Sequence, residues 1–391
     1  MVNFIKKLKL KKFLLIEIFL LIFIIVLYHL YKQIFLSIFD ESFARDFQWQ
    51  PAKCLFKGIN HYNSYLLKDG KCPQFMEQNG EYAHGLYILL YPFTILEWSK
   101  AKFFWSLVNI ILVFTISLVL SKKFKLSNLE ILLVIFFILY SKVTLTNIFQ
   151  GQQTILILFF LILPFVNNSK YSYIFSGISF FKYNIGYALF LLYLVSKKFK
   201  NLLYSLIPLI VGFISYCYIS NTKFNVALLQ PIQLMLEINT TMRSTFLFSF
   251  IKNFLPFEGT KNLILIFIFT LIFNLLFLYK ISKIKDQLLK LSCLCILILF
   301  STPHYGHDYI LLIPLLIYSV KIYKKNSFLS RFNFLVSIYF LHFYNLVPYL
   351  LFKYKIFNSA YAELVILLGV LILNLETHRY KNNKNFIKQI N

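Results

Sequence analysis

The sequence predicts an all-α polytopic membrane protein, and three observations carry that prediction. Hydrophobic residues make up 59% of the 391 residues and charged residues 14%, with a mean hydropathy of +0.69. A water-soluble core does not absorb that much apolar side chain. The apolar residues come in runs of roughly 15 to 22 separated by short polar links, close to the ~20 needed to cross ~30 Å of hydrocarbon as a helix. The Lys and Arg residues behind the net charge of +25 gather at the ends of those runs, which is the pattern of membrane orientation and not of a nucleic-acid surface. The expectation is a single integral membrane domain over residues 1–391, with room for about 10–12 transmembrane helices, membrane lipids as partners and no nucleic acid.

The N-terminus, MVNFIKKLKLKK, has the charge of a signal peptide, but the apolar run from Phe13 to Leu30 is not followed by a small-residue cleavage site. It reads as an uncleaved first span with a cytoplasmic N-terminus. Further spans are predicted at about 103–121, 129–147, 152–167, 171–183, 184–196, 202–220, 262–280, 288–302, 308–321, 332–352 and 359–376. This arrangement puts the basic links at 122–125, 197–200, 280–285 and 321–325 on the cytoplasmic side, together with a basic C-terminal tail over 377–391. It also requires that the piece from His84 to Leu96 not cross. That piece has about 13 residues and contains Pro92, too short for a span and suited to a helix lying at the outer interface. The first external loop is then long, 31–102, with interfacial helices, and a second long external loop covers 221–261.

With that orientation the polar residues collect outside: Glu41, Arg45, Asp46, His61 and Tyr65 in the first loop; Asn147 with Gln150, Gly151, Gln152 and Gln153; Lys182; Arg243 and Lys252; and His304, His307 and Asp308. Ionisable groups at membrane depth cost about 2.5–3.5 kcal/mol at the helix centre by insertion scales and face internal cavities. One outward-opening polar cavity accounts for all of them.

The order of these pieces resembles a known family. D-F-x4-A-K-x-L-x2-G-x3-Y runs from Asp46 to Tyr62; an interfacial helix carries Pro92; A-x3-W-x3-N runs from Ala101 to Asn109; then come Gly151-Gln152, G-x4-K from Gly177 to Lys182, and S-T-P-x3-H-D from Ser301 to Asp308. Over roughly residues 40–310 the chain is similar to the glycosyltransferase 87 family, polyprenol-phosphate-mannose-dependent mannosyltransferases with a GT-C fold. It departs at Tyr82-Ala83-His84, where the family often carries a Tyr-Pro-Pro-like element.

The resemblance implies a GT-C-like bundle and an inverting transfer of a hexose, mannose in the type members. The donor is a polyprenyl-phosphate sugar and the acceptor a lipid or glycan, at the outer face of the cell membrane, with no cofactor. A lipid-phosphate leaving group departs as an anion, so the protein needs one carboxylate to activate the acceptor hydroxyl and fixed donors to hold the phosphate. Asp46 takes the catalytic role; Lys182, Arg243, His304 and His307 are the phosphate candidates; Gln152, Asn147, Tyr62 and Asp308 are the sugar and acceptor candidates.

Structural alternatives stand beside each assignment. Asp46 can pair with the adjacent Arg45 or cap a short helix, Lys182 can be a helix-end lysine reaching the outer interface, and His307-Asp308 can be a helix cap. The His304-x2-His307-Asp308 spacing matches no zinc pattern, so no metal is expected. Cys54 and Cys72 share the first external loop, where an oxidising compartment permits a bridge; it would close a loop of about 18 residues and stabilise it by roughly 3 kcal/mol. Among other functions, a transporter or flippase would use the same cavity, but the halves of the chain show no internal repeat and the polar residues sit on one side instead of at the midplane. A polymerase or ligase of lipid-linked glycans would favour an Arg/His-rich late loop over an early Asp.

Overall fold

A computed structural model describes residues 2–40, 42–66, 69–72, 78, 80, 82–241, 260–302, 304–323, 327–344 and 359–390. These residues form helices and connecting turns with no strand among them. Helix α1 (Val2–Phe39) continues well past Leu30, so the first loop starts later than the hydropathy suggested. Four short helices follow, α2 (Trp49–Leu55), α3 (His61–Leu66), α4 (His84–Leu89) and α5 (Tyr91–Thr94). Pro92 falls in the first turn of α5, and the apolar piece from His84 to Leu96 is divided there. Cys54 and Cys72 of this loop are disulfide-bonded, with Cα atoms 5.9 Å apart.

The main bundle begins with α6 (Trp98–Lys123), α7 (Asn128–Leu139), α8 (Lys142–Gln150) and α9 (Thr154–Val166). The run read as one span over 129–147 is two helices bent by 52°. The reason is local: Ser141 caps α8, its Oγ accepting the Thr144 N–H at 3.1 Å, and so ends α7 at the same point. Helix α7 itself starts with a capping box, in which Ser127 N donates to Glu130 Oε2 at 2.7 Å and Glu130 N returns a bond to Ser127 Oγ. Next come α10 (Lys170–Ser176), a 3₁₀ turn (Gly177–Phe181), α11 (Tyr183–Val195), α12 (Phe199–Ser220) and α13 (Phe224–Thr241). The chain breaks at Lys182, which is extended (φ −107, ψ 96), where two predicted spans meet. The rest comprises α14 (Thr260–Ser282), α15 (Gln287–Ser301), a second 3₁₀ segment (Gly306–Leu312), α16 (Ile313–Ile322), α17 (Ser327–Phe343) and α18 (Ser359–Ile390).

Burial divides these helices into an inner and an outer set. Every residue of α15 from Leu291 to Ser301 is buried, and burial continues from His307 through Ser319. A helix apolar on all sides and covered on all sides is a core helix. The outer helices expose bands of large apolar side chains: Leu21, Ile24, Leu27, Tyr28 and Tyr31 on α1, Leu203, Ile210, Val211 and Ile214 on α12, and Phe267, Phe269, Ile272 and Leu276 on α14. Apolar bands of this kind mark surfaces that meet a membrane or another protein, and the described residues, all helix and turn, are consistent with an all-α membrane protein. By length and composition, α6 and α12 are each able to cross a membrane, and the bent α7–α8 pair makes a third candidate among the described residues. Shorter apolar helices such as α9, α11 and α15 are joined by irregular backbone. Within a bilayer such backbone is tolerated where protein buries it.

The loop helices are seated on the bundle through glycine contacts. A Cβ at Gly212 of α12 would lie 2.4 Å from the Cα of Gly85 in α4, and one at Gly177 would lie 1.9 Å from Ser205 O. Small residues at both points let backbones meet closely. We expect Gly212→Leu to push α4 off α12 at a cost of about 1–3 kcal/mol, read as a fall of a few degrees in the unfolding temperature in detergent. An unchanged temperature would show that this contact does not hold the loop.

Candidate functional site

The site is built where the chain after α1 docks on the turn between α8 and α9. Ala44 N donates to Phe149 O (2.7 Å) and Asp46 N to Gln150 O (2.9 Å), while Gln153 Nε2 donates to Phe47 O (2.7 Å). Gly151 makes the fit possible. It ends α8 in the left-handed region (φ 71), and a Cβ there would stand 2.9 Å from Ala44 Cα. Trp105 of α6 clamps the turn from below, its Nε1 donating to Gly151 O at 2.9 Å, and Phe47 stacks on the Trp105 ring at 4.7 Å. Ala44 (φ 61) and Gln48 (φ 66), two residues either side of Asp46, are non-glycine residues in the left-handed region. Backbone strain of that kind is retained where surrounding contacts enforce it.

This docking sets the carboxylate of Asp46 half-buried, with Oδ2 accepting from Gln152 Nε2 at 2.6 Å. Gln152 is itself buried and Arg45 is exposed. A positioned amide N–H on one carboxylate oxygen orients the group without neutralising it.

A second cluster is fully buried behind the turn. Lys182 Nζ donates to Asp308 Oδ1 at 2.6 Å and to Thr154 Oγ1 at 2.7 Å, and Thr154 Oγ1 donates to the same Asp308 oxygen at 2.6 Å. Asp308 Oδ2 accepts the Tyr305 N–H at 3.1 Å. His307 Nε2 lies 3.7 Å from Asp308 Oδ1, and its Nδ1 is 3.1 Å from Gln150 Oε1. Asn147 Nδ2 donates to His307 O at 2.6 Å. The Lys182 and Asp308 charges therefore cancel within the cluster, the arrangement a buried ion pair needs. His304 lies just outside, its Nδ1 3.1 Å from Thr302 O; burial pushes its imidazole below the ordinary histidine range, against smaller opposing effects of that hydrogen bond and of Asp308.

Gln150 joins the two clusters. Its carbonyl takes the Asp46 N–H and its side-chain oxygen meets His307. Around this junction several buried polar atoms have no hydrogen-bond partner among the described residues: Asn109 Oδ1, Asn147 Oδ1, Gln153 Oε1 and His304 Nε2. Buried polar atoms are almost always paired, and unpaired ones also lie elsewhere among the described residues, Ser121 Oγ and Thr270 Oγ1 for example.

Asp46, Gln152, Asn147, Lys182, His307 and Asp308 thus belong to one connected network, with His304 at its border. Tyr62 does not join it. Its ring is fully buried, its hydroxyl donates to Tyr82 O, and it packs with His61, His84, Tyr87 and Tyr216. Arg243, Lys252 and Glu41 lie outside the described residues. Thr154 went unnoticed in the sequence because a lone threonine opening the apolar run TILIL reads as a helix start. Lys102 also went unnoticed; it is buried and its Nζ donates to Asp40 O at 2.6 Å, tying the end of α1 to α6. Among the described residues no three His, Cys, Asp or Glu side chains converge as a metal-ligand set.

The aromatic cluster around Tyr62 carries a pH prediction. Burial pushes the His84 imidazole down to about 4 and lowers that of His61 as well, helped there by the neighbouring His84. An unfolded histidine titrates near 6.5, so in the window below that value the unfolded chain binds more protons than the native one. The stability from these neutral, buried rings is complete above about 6.5 and declines as pH falls towards about 4. The unfolding temperature in detergent should drop across that window, and His84→Phe should flatten the drop; an equally steep profile in the variant would count against His84.

Searches of the sequence against protein-family models and against curated proteins return no match.

Proposed function

We propose that this chain is an inverting hexosyltransferase of the multi-pass membrane type. It moves a hexose, mannose in the first instance, from a polyprenyl-phosphate donor to a lipid or glycan acceptor at the outer face of the cell membrane. The bundle is of the GT-C kind with about 10–12 spans, and both termini are cytoplasmic. The observation that carries the reading is the Asp46 carboxylate, held by Gln152 Nε2 at 2.6 Å on a strained turn beside a polar, incompletely bonded interior.

In this mechanism Asp46 takes the acceptor hydroxyl proton as the new bond to the anomeric carbon forms. The bond from that carbon to the phosphate oxygen breaks on the opposite face, and its electron pair leaves with the lipid phosphate. The configuration inverts in a single displacement. The phosphate needs N–H donors and positive charge that do not reorganise. His304, His307 and Arg243 are assigned to it, while Lys182, committed to Asp308 at 2.6 Å, holds the His307–Asp308 segment in register.

The test is transfer by the purified chain. With radiolabelled polyprenyl-phosphate mannose and a membrane lipid extract as acceptor pool, label should move to product with inversion at the anomeric carbon. Absence of transfer together with solute or lipid flux in reconstituted vesicles would replace this reading with a transporter or flippase.

A further inference from the structure

The stretch that carries Asp46 runs directly into α2, and the start of that helix lacks a cap of its own. First-turn N–H groups have no partner inside a helix. Gln48, the residue before α2, makes no side-chain cap, and Pro51 in the first turn has no N–H. The Gln50 amide is met from outside instead: Gln78 Oε1 accepts its N–H at 2.8 Å, from 28 residues further along the chain. The other end of the same side chain donates, Gln78 Nε2 to Ala44 O at 3.3 Å. That carbonyl also accepts the Phe47 N–H at 3.1 Å, closing the turn over 44–47 in which Asp46 lies. One amide group therefore clamps the chain on both sides of Asp46.

The clamp has one orientation. An oxygen must face the Gln50 N–H and an N–H must face Ala44 O, so both ends of the Gln78 amide are committed. Gln78 is 2% exposed, and water does not replace these bonds readily. The clamped backbone needs holding, because Ala44 (φ 61) and Gln48 (φ 66) occupy the left-handed region. The Ala44 and Asp46 N–H groups fix the turn to the bundle, on Phe149 O and Gln150 O. Gln78 fixes it from the loop side. The Cys54–Cys72 disulfide keeps Gln78 within reach: Cys54 shares α2 with Gln50, and Cys72 stands six residues before Gln78. Six residues extend at most ~20 Å. Cys72 is itself anchored, its N–H donating to Ser64 Oγ at 3.1 Å.

We propose that Gln78 is a positioning residue for Asp46, bracing the turn over 44–47 against α2 so that the carboxylate meets Gln152 in one geometry. Gln78 bonds only to backbone here and acts through the turn. A small displacement of a catalytic group costs rate without weakening substrate binding, so the brace bears on kcat. Its consequence for catalysis rests on Asp46 acting as the base of sugar transfer; the brace itself does not.

Two variants of the full chain in detergent test it. Gln78→Met keeps the length of the side chain and removes both bonds; Gln78→Glu keeps an acceptor for the Gln50 N–H and loses the donor to Ala44 O. In Gln78→Met, hydrogen–deuterium exchange at the amides of Ala44, Asp46, Phe47 and Gln50 should quicken about tenfold or more, with exchange in α15 unchanged. Gln78→Glu should restore protection at Gln50 alone. Sugar transfer per folded molecule should fall about 10- to 100-fold in kcat for Gln78→Met, with KM within about twofold of wild type. Unchanged exchange over 44–50 in Gln78→Met would overturn the brace. Faster exchange with a wild-type kcat would overturn the positioning role and leave Gln78 a structural side chain. A wild-type chain that transfers no sugar would remove Asp46 as base, while the exchange rates would still decide the brace. Unfolding temperatures establish that the variants fold, and Gln78→Glu carries both measurements if Gln78→Met does not.

Discussion

Lys182→Met is expected to destabilise the protein by about 3–5 kcal/mol. Asp308 is 1% exposed and its Oδ1 takes both the Lys182 ammonium and the Thr154 hydroxyl. Removing the ammonium leaves a carboxylate in an interior where its remaining bonds, from Thr154 and the Tyr305 N–H, do not replace the lost charge. The pairing matters more than the lysine. The double variant Lys182→Met/Asp308→Leu should recover most of the loss, because an apolar pair of similar volume is often as stable as a buried ion pair. Unfolding temperatures of the two variants in detergent decide the matter: a single variant as stable as wild type, or a double variant no better than the single, would refute the account. A lysine reaching out to the interface, the alternative suggested by sequence, predicts almost no effect.

Asp46→Asn is expected to lower the rate of sugar transfer by about 10²- to 10⁴-fold, the range for loss of a general base. The substitution is informative because the asparagine oxygen can still accept from Gln152 Nε2, so the turn between α8 and α9 keeps its geometry while proton acceptance is lost. The loss should appear in kcat with KM little changed. Gln152→Ala, by contrast, removes the positioning bond and leaves the base, so a smaller loss of about tenfold is expected, rescued in part by Gln152→Asn only if a shorter amide still reaches. Wild-type rates in Asp46→Asn would dismiss Asp46 as the base.

Much of this site was legible residue by residue and almost none of it as an arrangement. Asp46, Gln152, Lys182 and His307 stood out because polar groups in an apolar chain are costly and therefore conspicuous. Which of them meet was invisible. The Asp46–Gln152 bond spans 106 residues and the Lys182–Asp308 pair 126, and no local pattern encodes contacts at such separation. Tyr62 shows the converse. Its position in the Asp46 to Tyr62 pattern suggested the same site, but a ring with no exposed surface and a bonded hydroxyl belongs to a packed aromatic cluster.

The sequence by itself determined the class of molecule and its local punctuation. Apolar composition calls for apolar helices, Pro92 divides the piece from His84 to Leu96, and Ser127 with Glu130 starts a helix, the last two because such effects act within a few residues. Tertiary structure alone decided the rest. It bent the 129–147 run at Ser141, spent Lys182 on Asp308, and pressed Ala44 and Asp46 onto the left-handed turn at Gly151. Burial is the physical reason: once surrounding helices exclude water, each buried polar group must find a partner wherever in the chain one lies.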